Sequence, residues 1–97
     1  MPAEPDLDSP EIEFTVPPYE IEIDNAVAHV VELQHIKVLG NERYVASVWV
    51  EWNCYRTPPF IIWFNTQDEF WVKVRVEIAK MKAIIYSGKD HIYQKVC

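Results

Sequence analysis

Glycine is scarce in this chain: only Gly40 and Gly88 occur in 97 residues, too few to build the Gly-rich loop that cradles a nucleotide phosphate. Leucine is scarcer than its usual share. Three Leu and six Ala stand against twelve Val and ten Ile, which speaks against an all-α protein and for sheet. No apolar run approaches the ~20 residues that cross a bilayer as a helix, so no membrane partner is expected. The N-terminus opens on Pro, Asp and Glu rather than on the basic and apolar segments of a secretory signal. The chain is therefore expected to be soluble and intracellular, in cytoplasm or nucleus. Cysteine is limited to Cys54 and Cys97, 43 positions apart and without Cys or His at finger-like spacing, so a zinc site has little support. Two free thiols are the ordinary reading, and a bridge between them the minority one. No cofactor is expected.

Basic residues are absent from the first 24 positions, which hold eight acids: Glu4, Asp6, Asp8, Glu11, Glu13, Glu20, Glu22 and Asp24. The net charge of -6 thus divides into -8 for residues 1–24 and +2 for the rest, where nine bases meet seven acids. Five of the seven prolines fall within residues 1–18. This predicts an acidic, Pro-rich arm over residues 1–24 and one globular domain over 25–97. The arm is either a solvating extension or an interaction tail. Folded over a basic groove, it would compete with phosphate. Abundant Ile, Val, Glu, Tyr and Trp is also the bias of thermophile proteins.

What is there is mostly β pattern. Tyr19 to Asp24 alternates and reads as a short edge strand continuing the arm. Val27 to Leu39 and Arg43 to Asn53 flank Gly40-Asn41-Glu42 and read as the longest hairpin. In its second strand Tyr44, Ala46, Val48, Val50 and Trp52 share a face that is expected to be buried, which places Val45, Ser47, Trp49, Glu51 and Asn53 on the other. Cys54 to Pro59 reads as a loop because Pro58 and Pro59 cannot sit in a paired central strand, and Phe60 to Asn65 as a third strand.

From Val72 to Val96 two readings stand. Val72, Val74, Val76 and Ile78 alternate with Lys73, Arg75, Glu77 and Lys80 at period two, and Ser87-Gly88-Lys89-Asp90 separates two β-rich runs, Ala83 to Tyr86 and His91 to Val96. This favours a helix of two turns at Thr66 to Trp71, then two strands. Alternatively, Thr66-Gln67-Asp68-Glu69 is a capping box and Gly88 a stop. Phe70, Val74, Ile78, Met81 and Ile85 then form one stripe of a long helix, with Val72, Val76, Ala79 and Ala83 as a second apolar face. The fold expected is mainly β, a five-stranded Greek-key barrel with a short connecting helix. The alternative is an α+β antiparallel sheet covered by one long helix at residues 67–87.

The first reading has the strand order of the OB-fold. Ile61-Ile62-Trp63-Phe64, Val76-Glu77-Ile78-Ala79-Lys80 and Tyr86-Ser87-Gly88-Lys89 resemble the third-strand-to-fifth-strand half of single-stranded DNA-binding OB domains of the archaeal single-stranded DNA-binding protein and replication protein A type. The resemblance covers residues 27 to 97. The chain departs from the family at Trp52 to Pro59, where an acidic-Gly turn is usual, and at Phe70-Trp71, where a Gly is usual. Size and acidic arm are similar to the small single-OB subunits of replication or telomere-end complexes.

The resemblance implies a non-enzymatic binder of single-stranded DNA or RNA acting in a complex in replication, repair or end protection. Bases would stack on Trp49 and Trp63, with Tyr55 and Arg56 clamping the strand and Lys37, Arg43, Lys73, Arg75 and Lys89 meeting phosphates. The bland account of the same residues is a pair of tryptophans covering the core and a solvated set of charges. A body charge of +2 is low for an independent nucleic-acid binder, so the alternative function is a protein-interaction or accessory module, viral or thermophilic, using its aromatics for a homodimer or partner contact. His29, His35 and His91 pair with no nucleophile motif, and Asp24 with Glu32 is too sparse for a metal nuclease. No enzyme is expected.

Overall fold

The computed structural model describes residues 17–97, so the first sixteen residues of the arm lie outside the described residues. The elements in order are β1 (Tyr19–Ile23), β2 (Ala26–Val38), β3 (Asn41–Trp52), β4 (Tyr55–Arg56), β5 (Phe60–Phe64), α1 (Gln67–Tyr86), a 3-10 turn (Asp90–Ile92) and β6 (Gln94–Lys95). One antiparallel sheet runs β1-β2-β3-β4-β6, with β5 also paired to β3. The molecule is a mainly antiparallel sheet with one long helix on a single face.

Two-residue turns close the first three hairpins, and each puts both its residues at positive φ: Asp24 (53°) and Asn25 (64°), Leu39 (52°) and Gly40 (82°), Asn53 (54°) and Cys54 (68°). That backbone matches the right-handed twist of the strands it joins. In the β2–β3 ladder the register slips by one at Val31, between the pairs Val30↔Val48 and Glu32↔Ser47, a β-bulge that keeps Val30 and Leu33 on the same face. Between β4 and β5, Thr57 holds the chain to β3: its N–H donates to Val50 O (2.9 Å), and its Oγ1 accepts from Val50 N–H (3.0 Å). Pro58 and Pro59, which have no N–H to offer, occupy the break that follows.

The core lies between α1 and one sheet face. Ala26, Ala28, Val30, Ala46, Val48, Val50, Ile62 and Phe64 from the strands meet Phe70, Val74, Ile78 and Met81 from the helix, all buried. The helix starts at a capping arrangement: Thr66 Oγ1 accepts from Glu69 N–H (3.2 Å), and Glu69 Oε1 reaches back to accept from Asn65 N–H (2.9 Å).

Three expectations are corrected. The five-stranded barrel does not close; the sheet is open. Val72 to Lys80 and Ala83 to Tyr86, expected as strands, belong to α1, and the hairpin expected from Ala83 to Val96 leaves only the two residues of β6 as strand. The cause is that a helix buries Phe70, Val74, Ile78 and Met81 at 0–1% exposure in one stripe, whereas a strand would bury alternate valines only. The α+β alternative with a helix at 67–87 describes this part of the chain. Finally, Cys54 and Cys97 are not free thiols. They form a disulfide with Cα atoms 5.1 Å apart, because β6 pairs with β4 and Val96 N–H donates to Cys54 O (2.8 Å), which brings the C-terminus to the β3–β4 turn.

The bridge closes a long loop, so Cys97→Ser is expected to lower the unfolding free energy by about 2–4 kcal/mol in a urea titration under non-reducing conditions. A titration identical to that of the parent would show that β6 and its neighbours are held without it. A second outcome concerns acid. The Asn65 N–H and then Lys73 hold the Glu69 carboxyl below its ordinary range, so its stabilising share is complete above about pH 4.5 and is lost as pH falls through the folded value. Glu69→Gln should flatten the acid limb of thermal stability between roughly pH 5 and 3, and an unchanged limb would remove Glu69 from the cause.

Candidate ligand face

Side chains on the sheet face away from α1 meet no covering element among the described residues. The register places them in cross-strand rows. One row runs Glu20, His29, Trp49 across β1, β2 and β3, with Arg56 approaching from β4. Another runs Gln34, Val45, Trp63 across β2, β3 and β5, with Ser47 beside Ile61 between the two. Beyond them Ile36 stands opposite Arg43.

The first row is a stack. The His29 ring lies parallel to Trp49 at 3.6 Å and 6°, and the Arg56 guanidinium sits over the same indole at 3.7 Å. Since they come from the strands on either side of β3, both faces of that indole are occupied within the chain. His29 is in turn held by carboxylates, Glu51 Oε1 at 3.0 Å from Nε2 and Glu20 Oε2 at 3.4 Å from Nδ1. Beside this stack Pro18, Glu20, His29, Val31 and Trp49 line a cavity of about 270 Å³.

Trp63 is different. It is 42% exposed, with Ile61 beside it at 58%, and Arg43 lies over the ring at 5.1 Å. A shallow cavity of about 130 Å³ lined by Glu32, Gln34, Val45, Ser47 and Ile61 lies next to it.

Of the nine residues singled out in the sequence, this face unites Trp49, Trp63, Arg43 and Arg56. Lys37 stands near the far end of the β2–β3 hairpin, paired with Glu42 at 3.4 Å. The others are elsewhere. Tyr55 turns to the core side, where its hydroxyl donates to Asp90 (2.6 Å); that bond raises the phenol pKa and lowers the Asp90 carboxyl. Lys73 and Arg75 are on α1, Lys73 bonded to Trp63 O (2.7 Å) and Glu69 (3.0 Å), Arg75 facing Asp24 at 3.7 Å. Lys89 lies after α1, its N–H donating to Ile84 O.

Sequence reasoning missed the part of His29, whose place against Trp49 depends on the bulge, and of Ile61, which lies on the uncovered face of β5, a strand with no further neighbour among the described residues. Among the described residues no group of three or more His, Cys, Asp or Glu is placed to hold a metal ion, and no helix is long and apolar enough to cross a membrane. No family model matches the chain, and neither a curated protein nor a solved structure is significantly similar to it.

The difference between the two indoles is measurable. Acrylamide should quench Trp63 most readily, so Trp63→Phe is expected to remove the most accessible part of the tryptophan emission. An equal loss from Trp49→Phe would contradict the occupied stack.

Proposed function

We propose that this chain is a non-enzymatic binding module and that the uncovered sheet face takes single-stranded nucleic acid, with one base stacked on Trp63. The observation that carries the reading is the pairing of an exposed indole with a guanidinium, Trp63 with Arg43, on a face that also holds Arg56 and His29. Base–aromatic stacking is indifferent to sequence because every base has a π-face, and an Arg over the ring supplies a phosphate contact beside it. A closed barrel is not part of this proposal. The carboxylates of Glu20, Glu32 and Glu51 share the surface, which limits affinity and makes complex partners in replication or repair a reasonable setting for the module.

The exposed Ile61 and Trp63 also support a second reading, contact with protein through the same surface.

Titration of intrinsic fluorescence with a single-stranded oligonucleotide separates them. With two or three cations in play, log affinity should fall with log salt at a slope of about -2. Trp63→Ala is expected to weaken binding about tenfold or more, while Trp49→Ala costs less because its faces are already taken. Absence of quenching at low salt would overturn the nucleic-acid reading in favour of the protein contact.

A further inference from the structure

We propose that two copies of this chain join through β5, edge to edge and antiparallel about a two-fold axis at Ile62, to make one continuous sheet. The proposal rests on the second reading, contact with protein through Ile61 and Trp63, and names its partner as a second copy. It begins with an unpaired edge: among the described residues β5 pairs with β3 on one side and with no strand on the other. An apolar edge is a template for another strand. This one is Phe-Ile-Ile-Trp-Phe.

The bonds to neighbouring side chains show which backbone groups point outward, and Trp63 O, which already accepts from Lys73, would take a second donor. Trp63 O accepts from Lys73 and Asn65 N–H donates to Glu69, so odd-numbered residues of β5 direct their polar groups away from β3. By alternation those of Ile61 point the same way. Rotation about an axis at Ile62 sets Ile61 opposite Trp63 of the second copy. The two residues then exchange hydrogen bonds on both sides of the axis. Their side chains, the most exposed apolar pair of the strand at 58% and 42%, meet as a branched–aromatic cross-strand pair.

Helix α1 supplies an independent reason for the same axis. On the flank next to β5, where Phe60, Ile61, Ile62, Trp63, Lys73, Val76 and Glu77 line a groove of about 350 Å³, the charges run Glu69, Lys73, Glu77, Lys80. Reversed against itself, that row sets Glu69 opposite Lys80 and Lys73 opposite Glu77, every contact between unlike charges. A two-fold interface requires this self-complementarity, since each contact occurs twice. Lys73 lies level with Trp63, to which it is bonded, and the next turn of α1 lies level with Ile61. The centre of the charge row and the centre of the strand therefore coincide.

Sedimentation equilibrium of the full chain under non-reducing conditions tests the proposal. The expected species has twice the 11.4 kDa of the single chain. Lys73→Glu and Glu77→Lys should each weaken self-association about tenfold or more, because each places like charges opposite one another twice. An equimolar mixture of the two variants should associate again, since a mixed pair restores unlike charges at both contacts. Ile61→Lys should give a monomer with unchanged far-UV circular dichroism, and Val72→Glu, on the other flank of α1, should leave the dimer intact. A monomer at the highest soluble concentration would overturn the proposal. So would a dimer indifferent to Ile61→Lys, or folded single variants that fail to associate when mixed.

Discussion

Everything in this molecule depends on one contact, the stripe Phe70, Val74, Ile78, Met81 of α1 pressed on the inner face of the sheet. A twisted sheet of this size has two faces, and one must be covered for the chain to be stable on its own. The strands make room with small residues, Ala26, Ala28 and Ala46, among valines, which lets bulky helix side chains interdigitate rather than ride above the pleat. The choice of covered face also decides where Trp49 and Trp63 are. Since α1 takes the side of Ala46, Val48 and Val50, residues of opposite parity on β3 and β5 are left facing outward. The outer face is what remains after the core has been built.

How much of this could be read in advance differs between elements for physical reasons. The β2–β3 hairpin was legible, because alternation over ten residues and a Gly-containing turn point the same way. The helix was not settled, because Val72, Val74, Val76 and Ile78 satisfy a period of two while Phe70, Val74, Ile78 and Met81 satisfy one of 3.6. Local propensity favoured the strand, and burial with a Thr66–Glu69 cap favoured the helix. Tertiary packing won. The disulfide was hidden for a similar reason, as 43 residues of separation say nothing of distance until β6 is seen beside β4.

On the face itself, parity alone placed Trp49 apart from Val48 and Val50 correctly. It could not place Trp49 against His29. The Leu39-Gly40 turn sets pairs such as Lys37↔Glu42 and Glu32↔Ser47, and continuing that count would set Trp49 opposite Val30. The bulge at Val31 moves it by one, to His29. A single extra residue thus decides whether the indole meets an imidazole or an isopropyl group, and nothing in Val30-Val31 marks it. A Cys54 to Pro59 loop would let Tyr55 and Arg56 act as one clamp, but the two residues form β4. As neighbours in a strand they face opposite ways, and only Arg56 joins the outer face.

The electrostatics follow from the same economy of surface. Arg43 and Arg56 lie over indoles, Lys73 on Glu69, Lys80 on Glu77, Arg75 on Asp24, Lys37 on Glu42. These exposed pairs hold the cations in place without adding much stability. Their effect is on what can bind. A polyanion that depends on loose lysines finds few, whereas a guanidinium lying over a ring keeps N–H groups at its rim for a phosphate while the ring stays available at its edge or far face. Trp63 meets that condition and Trp49, enclosed by His29 and Arg56, does not. The enclosed stack instead links β2, β3 and β4, and the exposed indole stands on β5 of the same sheet rather than on a loop. A side chain held on a strand has less freedom to lose on contact than one held on a loop, and of the two outward tryptophans Trp49 is enclosed by its neighbours while Trp63 is 42% exposed.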